Sequence, residues 1–164
     1  MYCRLMLYTL ATIALMSSPL AAQEPKTAIE FNNRGSEWES KGEFDNAVKD
    51  YNEAIRLDPK YAHAFNNRGT AWKDKGELDK AIKDYDEALR LAPGFPAAFY
   101  NRGTAWKDKG ELDKAIKDYD EAIRLIPKYA AAFHNRATAW QKKGESDKAA
   151  KDFAEAKRLR ELKE

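Results

Sequence analysis

Apolar and small residues fall along this chain in two alternating helical stripes. Phe65, Gly69 and Trp72 stand at i, i+4 and i+7, one face of a helix. Gly76 then interrupts the pattern, as a residue that readily takes a left-handed backbone ends a helix. Ala81, Tyr85 and Ala88 repeat the same spacing on a second helix, and Pro93 closes the pair. Alanines facing an aromatic stripe predict two short helices packed closely. The small Gly69 is expected to admit another backbone.

The hairpin recurs at a period of 34. Asn67 to Ala88 is reproduced without change by Asn101 to Ala122, and diverged copies run from Asn33 to Ala54 and from Asn135 to Ala156. Each copy carries a phenylalanine (Phe31, Phe65, Phe99, Phe133) and a tryptophan (Trp38, Trp72, Trp106, Trp140). A glycine follows (Gly42, Gly76, Gly110, Gly144), then alanine, aromatic and alanine, with Pro59, Pro93 and Pro127 ending the first three. Expected units are residues 28–61, 62–95, 96–129 and 130–163. One such pair buries too little to fold alone, so stacking is required. The expected fold is all-α, an α-solenoid of antiparallel helix pairs. In the last second helix Ser146, Ala150 and Lys157 replace Leu78, Ile82 and Leu89, changes suited to a face that meets water. A homodimer contact through this C-terminal helix is the alternative.

These spacings resemble the tetratricopeptide repeat family, from Ala28 to Lys163. Two departures stand out: Arg34, Arg68, Arg102 and Arg136 replace an apolar residue before the small position, and Ala137 replaces glycine in the last copy. The resemblance implies a concave surface lined by the first helices, and a protein or peptide partner held there.

On a helical wheel of about 100° per residue, the side of the first helices opposite the aromatic stripe carries Ile29, Asn33, Ser36 and Ser40, then His63, Asn67, Thr70 and Asp74. Ala97, Asn101, Thr104 and Asp108 follow, and last Ala131, Asn135, Thr138 and Lys142. Asparagine costs roughly half a kcal/mol in a helix interior, yet every unit has one at this step. An amide offers donors and an acceptor to an extended backbone. The resemblance implies that role for Asn33, Asn67, Asn101 and Asn135; a bridge between adjacent helices is the other reading. Asn32, Asn66, Tyr100 and His134 flank the row, with Glu39, Lys73, Lys107 and Gln141 also beside it. The candidate groove is therefore Asn33, His63, Asn66, Asn67, Thr70, Lys73, Tyr100, Asn101, Thr104, Lys107, His134, Asn135 and Thr138. The Lys and Arg set of a terminal-carboxylate clamp, which some family members have, is absent from the matching positions.

Charge narrows the partner. A formal net charge of +2, with both signs interleaved, gives no counterion-release surface, so nucleic acid is not expected. Four-apart pairs are expected along the second helix, Asp79 with Lys83, Lys80 with Asp84, and Lys83 with Glu87. Arg68 and its equivalents are placed to reach an Asp such as Asp84.

No enzyme, metal or cofactor is expected. His63 and His134 are two units apart without a nucleophile or ligand set, the carboxylates recur with the repeat, and no glycine forms a phosphate-cradling loop.

Ahead of the repeats, Leu5 to Met16 is apolar apart from Tyr8, Thr9 and Thr12, follows Arg4, and leads through Pro19 to Ala21 and Ala22. That is the order of a signal peptide, residues 1–22, with 23–27 as linker. The run falls short of the about 20 apolar residues of a spanning helix, so stable membrane insertion after cleavage is not expected. The expected site is periplasmic or secreted. Cys3, the one cysteine, would leave with the signal.

Overall fold

The computed structural model describes residues 25–162; the expected export segment lies outside them. Eight helices and no strands occur among the described residues. They are α1 (Ala28–Ser40), α2 (Phe44–Leu57), α3 (Ala62–Asp74), α4 (Leu78–Leu91), α5 (Pro96–Asp108), α6 (Leu112–Leu125), α7 (Ala130–Lys142) and α8 (Ser146–Glu161). Consecutive pairs form units 1 to 4. None of these helices is long and apolar enough to cross a membrane.

Local chemistry sets the ends of the helices. Thr27 accepts a hydrogen bond from the Glu30 backbone N–H while the Glu30 carboxylate reaches back to the Thr27 N–H, a reciprocal cap on α1. Pro96 occupies the first turn of α5, where its missing N–H leaves nothing unbonded. Between the helices of each pair Gly42, Gly76, Gly110 and Gly144 take φ of 76–82°, which a side chain would resist.

Every helix packs against the next in sequence, and α1, α3, α5 and α7 also touch one another in succession. The second helices do not reach each other, so the row bends with the first helices inside. This is the α-solenoid expected from the repeat.

Alanines and tyrosines fill the interior. Tyr51, Tyr85 and Tyr119 are fully buried. A Cβ on Gly69 would stand 2.7 Å from Cε1 of Tyr85, and one on Gly35 2.6 Å from Tyr51. The small residue thus makes room for an aromatic ring of its own unit, not for the backbone expected from spacing. Across unit boundaries Ala71 packs with Ala47, Val48 and Tyr51, and Ala105 with Ala81, Ile82 and Tyr85. Ser146, Ala150 and Lys157 of α8 are exposed.

Polar ties reinforce both packing layers. Arg34, Arg68, Arg102 and Arg136 each grip the buried Asp50, Asp84, Asp118 or Asp152 through two nitrogens at 2.6–2.8 Å. A buried carboxylate requires such a two-point partner. The same arginines reach back to the preceding unit, Arg68 to Asn52 at 2.7 Å, Arg102 to Asp86 at 2.6 Å and Arg136 to Asp120 at 2.5 Å. Among the described residues none of the four-apart pairs expected along the second helix closes to an ion pair, although Lys83 still acts on Asp79 through charge; inter-helix reaches and three-apart pairs take their place. Asp84 serves Arg68, Asp79 is held by Lys109 of the next unit, Glu87 pairs with Arg90, and Lys80 with Glu77. Lys75 with Asp45 and Lys143 with Asp113 repeat the inter-unit pair.

Candidate groove on the first helices

The inner row of first helices carries a relay of amides. Asn101 Nδ2 donates to Asn66 Oδ1 at 3.0 Å, Asn66 Nδ2 to Asn67 Oδ1 at 3.2 Å, and Asn67 Nδ2 to Asn32 Oδ1 at 3.0 Å. Both sequence readings of the asparagines therefore bear on one geometry: Asn67, Asn101 and Asn135 each bridge to the preceding unit through one N–H. A carboxamide has two donor hydrogens and two acceptor lone pairs, so half of that capacity remains at Asn67 and more at Asn101. Asn66 is 6% exposed and Asn32 7%, whereas Asn33, at the outer end of the row, is exposed.

A hollow of about 500 Å³ opens over this relay, lined by Ser36, Glu39, Ser40, Asn66, Asn67, Thr70, Asp74 and Asn101. Its floor is held by hydroxyls. Thr70 Oγ1 donates to the Asn66 carbonyl at 3.2 Å and accepts from the Tyr85 hydroxyl at 3.4 Å. In unit 1 the corresponding tyrosine, Tyr51, donates instead to Glu39 Oε2 at 2.7 Å. Burial pushes the Glu39 carboxyl above the usual range; the Tyr51 hydrogen bond opposes this, Asp74 adds to it and Lys73 counters.

Toward the C-terminal units the surface changes character. Asn135 Nδ2 donates to the Tyr100 hydroxyl at 2.9 Å, so a phenol replaces the amide acceptor. The Tyr100 ring lies 5.1 Å from Tyr129 and 6.0 Å from Tyr119, centroid to centroid. Thr104 and Thr138 donate to the carbonyls of Tyr100 and His134 at 2.9 and 3.0 Å. Burial, more than its neighbours, moves the Lys107 ammonium below the ordinary lysine range; Asp108 counters this, while Lys142 and Lys73 add to it. Its equivalent Lys73 donates to Asp74 Oδ1 at 2.6 Å.

The candidate residues do not all share one wall. Asn66, Asn67, Thr70 and Asn101 line the hollow. His63 is exposed and packs on Phe95 at 4.7 Å and Tyr61 at 5.9 Å, and His134 lies edge-on to Phe153 at 5.3 Å. Ser36, Glu39, Ser40 and Asp74 belong to the hollow although the candidate set leaves them out. Tyr129 was also missed; the signal for it was an aromatic at Tyr61, Phe95 and Tyr129, just before each later first helix. Among the described residues no three His, Cys, Asp or Glu side chains gather to hold a metal ion.

Comparison with known proteins agrees on the architecture. A family model described as TPR repeat matches residues 39–74, and one described as tetratricopeptide repeat matches 62–95 and 96–129. No curated protein matches the chain. Among solved structures, a crystal structure of MamA is similar with TM-score 0.78 and 27% identity, covering 85% of this chain and 82% of that one. A second, of MamA protein, gives TM-score 0.74 and 27% identity over 83% and 74%. The first TPR of Spaghetti (RPAP3), bound to the HSP90 peptide SRMEEVD, gives TM-score 0.70 over 72% of this chain and 94% of that one. At its 24% identity the likeness is one of fold.

Proposed function

Because this chain belongs to the tetratricopeptide repeat family, we propose that it is a non-enzymatic scaffold that holds a peptide segment of a partner protein against its first helices. The observation that carries this reading is the amide relay from Asn101 to Asn32 beneath a polar hollow. It fixes the orientation of Asn67 and Asn101 through their bonds to Asn32 and Asn66 and leaves each of the two a second N–H and further acceptor capacity for a backbone, a preorganisation that lowers the cost of binding. The peptide seen on the Spaghetti domain lends the reading support by analogy of fold alone. Each such contact contributes about 1 kcal/mol net, which for a short groove gives affinities on the order of micromolar.

The test is a peptide array probed with the wild-type chain and with Asn67→Ala combined with Asn101→Ala. The double variant should keep its helical circular dichroism and lose the peptides that the wild type retains. Retention of the same peptides by both would end the proposal. Export belongs to the same proposal and rests on the apolar run before Ala22. A reporter active only outside the cytoplasm, fused behind residues 1–22, should light up, and silence would remove this part.

A further inference from the structure

The two ends of the groove differ in charge. At the last two inward steps of the first helices stand Glu39 and Ser40 in unit 1, Lys73 and Asp74 in unit 2, Lys107 and Asp108 in unit 3, and Gln141 and Lys142 in unit 4. Unit by unit this is one negative charge, two neutral steps and one positive charge. The side-chain pairing sharpens the gradient. In unit 2 Lys73 and Asp74 satisfy each other at 2.6 Å. Glu39 takes its hydrogen bond from a neutral phenol, and Tyr51 leaves the full negative charge in place. At the other end Lys107 and Lys142 form no ion pair among the described residues, and each lies within electrostatic reach of the other. Units 2 and 3 are identical from Asn67 to Ala88 and from Asn101 to Ala122, so the difference between Lys73 and Lys107 arises from their neighbours. Lys107 is partly buried with the adjacent Asp108 acting on it through charge alone, and a ligand carboxylate that pairs with it lowers the cost of that burial.

Resting on the groove reading above, we propose that the partner segment is itself bipolar, seating a basic side chain against Glu39 and an acidic side chain against Lys107 and Lys142. Adjacent helices lie roughly 8–10 Å apart. Two to three such steps separate the charged ends, which an extended segment spans with roughly six to eight residues. The residues between would cross the amide relay. The two end charges thereby select one orientation of the segment over its reverse, since the wrong orientation places like charges together at both ends.

The probes are capped ten-residue peptides of one composition. One has Arg-Arg at its start, Glu-Glu at its end and Ser, Gly and Asn between; the other alternates Arg and Glu. Titrated into isotope-labelled full-length protein by NMR, the segregated peptide should bind roughly five-fold more tightly, the scale of one exposed ion pair. Glu39→Gln, Lys107→Gln and Lys142→Gln together should abolish that difference while both peptides still shift the amides of Asn67, Thr70 and Asn101. A nitroxide on the acidic end should broaden Lys142 and spare Ser40, and one on the basic end should do the reverse. Equal affinities, or a label that broadens both ends alike, would overturn the bipolar inference and leave the groove standing. If neither peptide moves Asn67, Thr70 or Asn101, the groove reading falls with it.

Discussion

Units 2 and 4 are built on one plan, and their fit differs because one has neighbours on both sides and the other, among the described residues, on one. In unit 2 Tyr85 is fully buried against Gly69, and Leu78, Ile82 and Leu89 face unit 3. In unit 4 the equivalent ring is Phe153, partly exposed, the small residue is Ala137, and Ser146, Ala150 and Lys157 meet solvent. Asp86, which receives Arg102, has Ala154 as its counterpart. The other end shows the same logic, since Glu30 and Glu37 stand where unit 2 has the fully buried Ala64 and Ala71. A position in a repeat is thus chosen by what lies beyond it as much as by the hairpin that carries it.

The largest expected effect tests the burial side of this contrast. Tyr85→Ala should cost about 3–5 kcal/mol, as for other large buried rings, and Phe153→Ala about half of that. Urea unfolding of the two variants decides the matter, and equal losses would erase the contrast. Next in size is a pair of opposite exchanges, each expected to destabilise its own unit. Gly69→Ala places a Cβ 2.7 Å from the Tyr85 ring and should destabilise by about 1–3 kcal/mol, whereas Ala137→Gly should cost about 1 kcal/mol through lost helix propensity. A stabilised Gly69→Ala protein would show that the ring has room to move.

The smallest effect is a slope with pH. Burial raises the Glu39 carboxyl above its ordinary value of 4.5, so the fold favours the protonated form. The resulting contribution is fully present below that value and lost as pH rises through the raised one. Glu39→Gln should remove this fall, and unit 4, which already has Gln141 at the same step, carries no such titration. Stability measured from pH 4 to 7 in wild type and variant checks it; parallel curves would refute the assignment.

How much of this was legible in the sequence follows from what a period can and cannot encode. Recurrence of Phe, Trp, Gly, Ala and Tyr at fixed steps specifies helix pairs and their stacking, and Arg68, placed by the repeat to reach an Asp such as Asp84, binds it. Spacing tells that Gly69 must be small, but the occupant of the freed space, the Tyr85 ring, depends on the packing of the other helix. The four-apart rule considers one helix at a time, so it missed Lys109 reaching Asp79 across a unit boundary. Asn67, Thr70 and Asn101, which the helical wheel sets on one side of the first helices, line one hollow. The wheel had no means of joining them to Asn66 and Asn32 in one relay, because those bonds cross from helix to helix.

Each boundary between units uses the same three reaches: an amide to the previous flank, an arginine to the previous second helix, and a lysine to the previous aspartate. An extra copy of residues 62–95 inserted after position 95 would therefore find Asn66, Asp86 and Asp79 waiting before it, and would offer the same three side chains to Asn101, Arg102 and Lys109 behind it. The molecule is in this sense a ruler graduated in hairpins. Its span can be lengthened by whole divisions without redesigning a single joint.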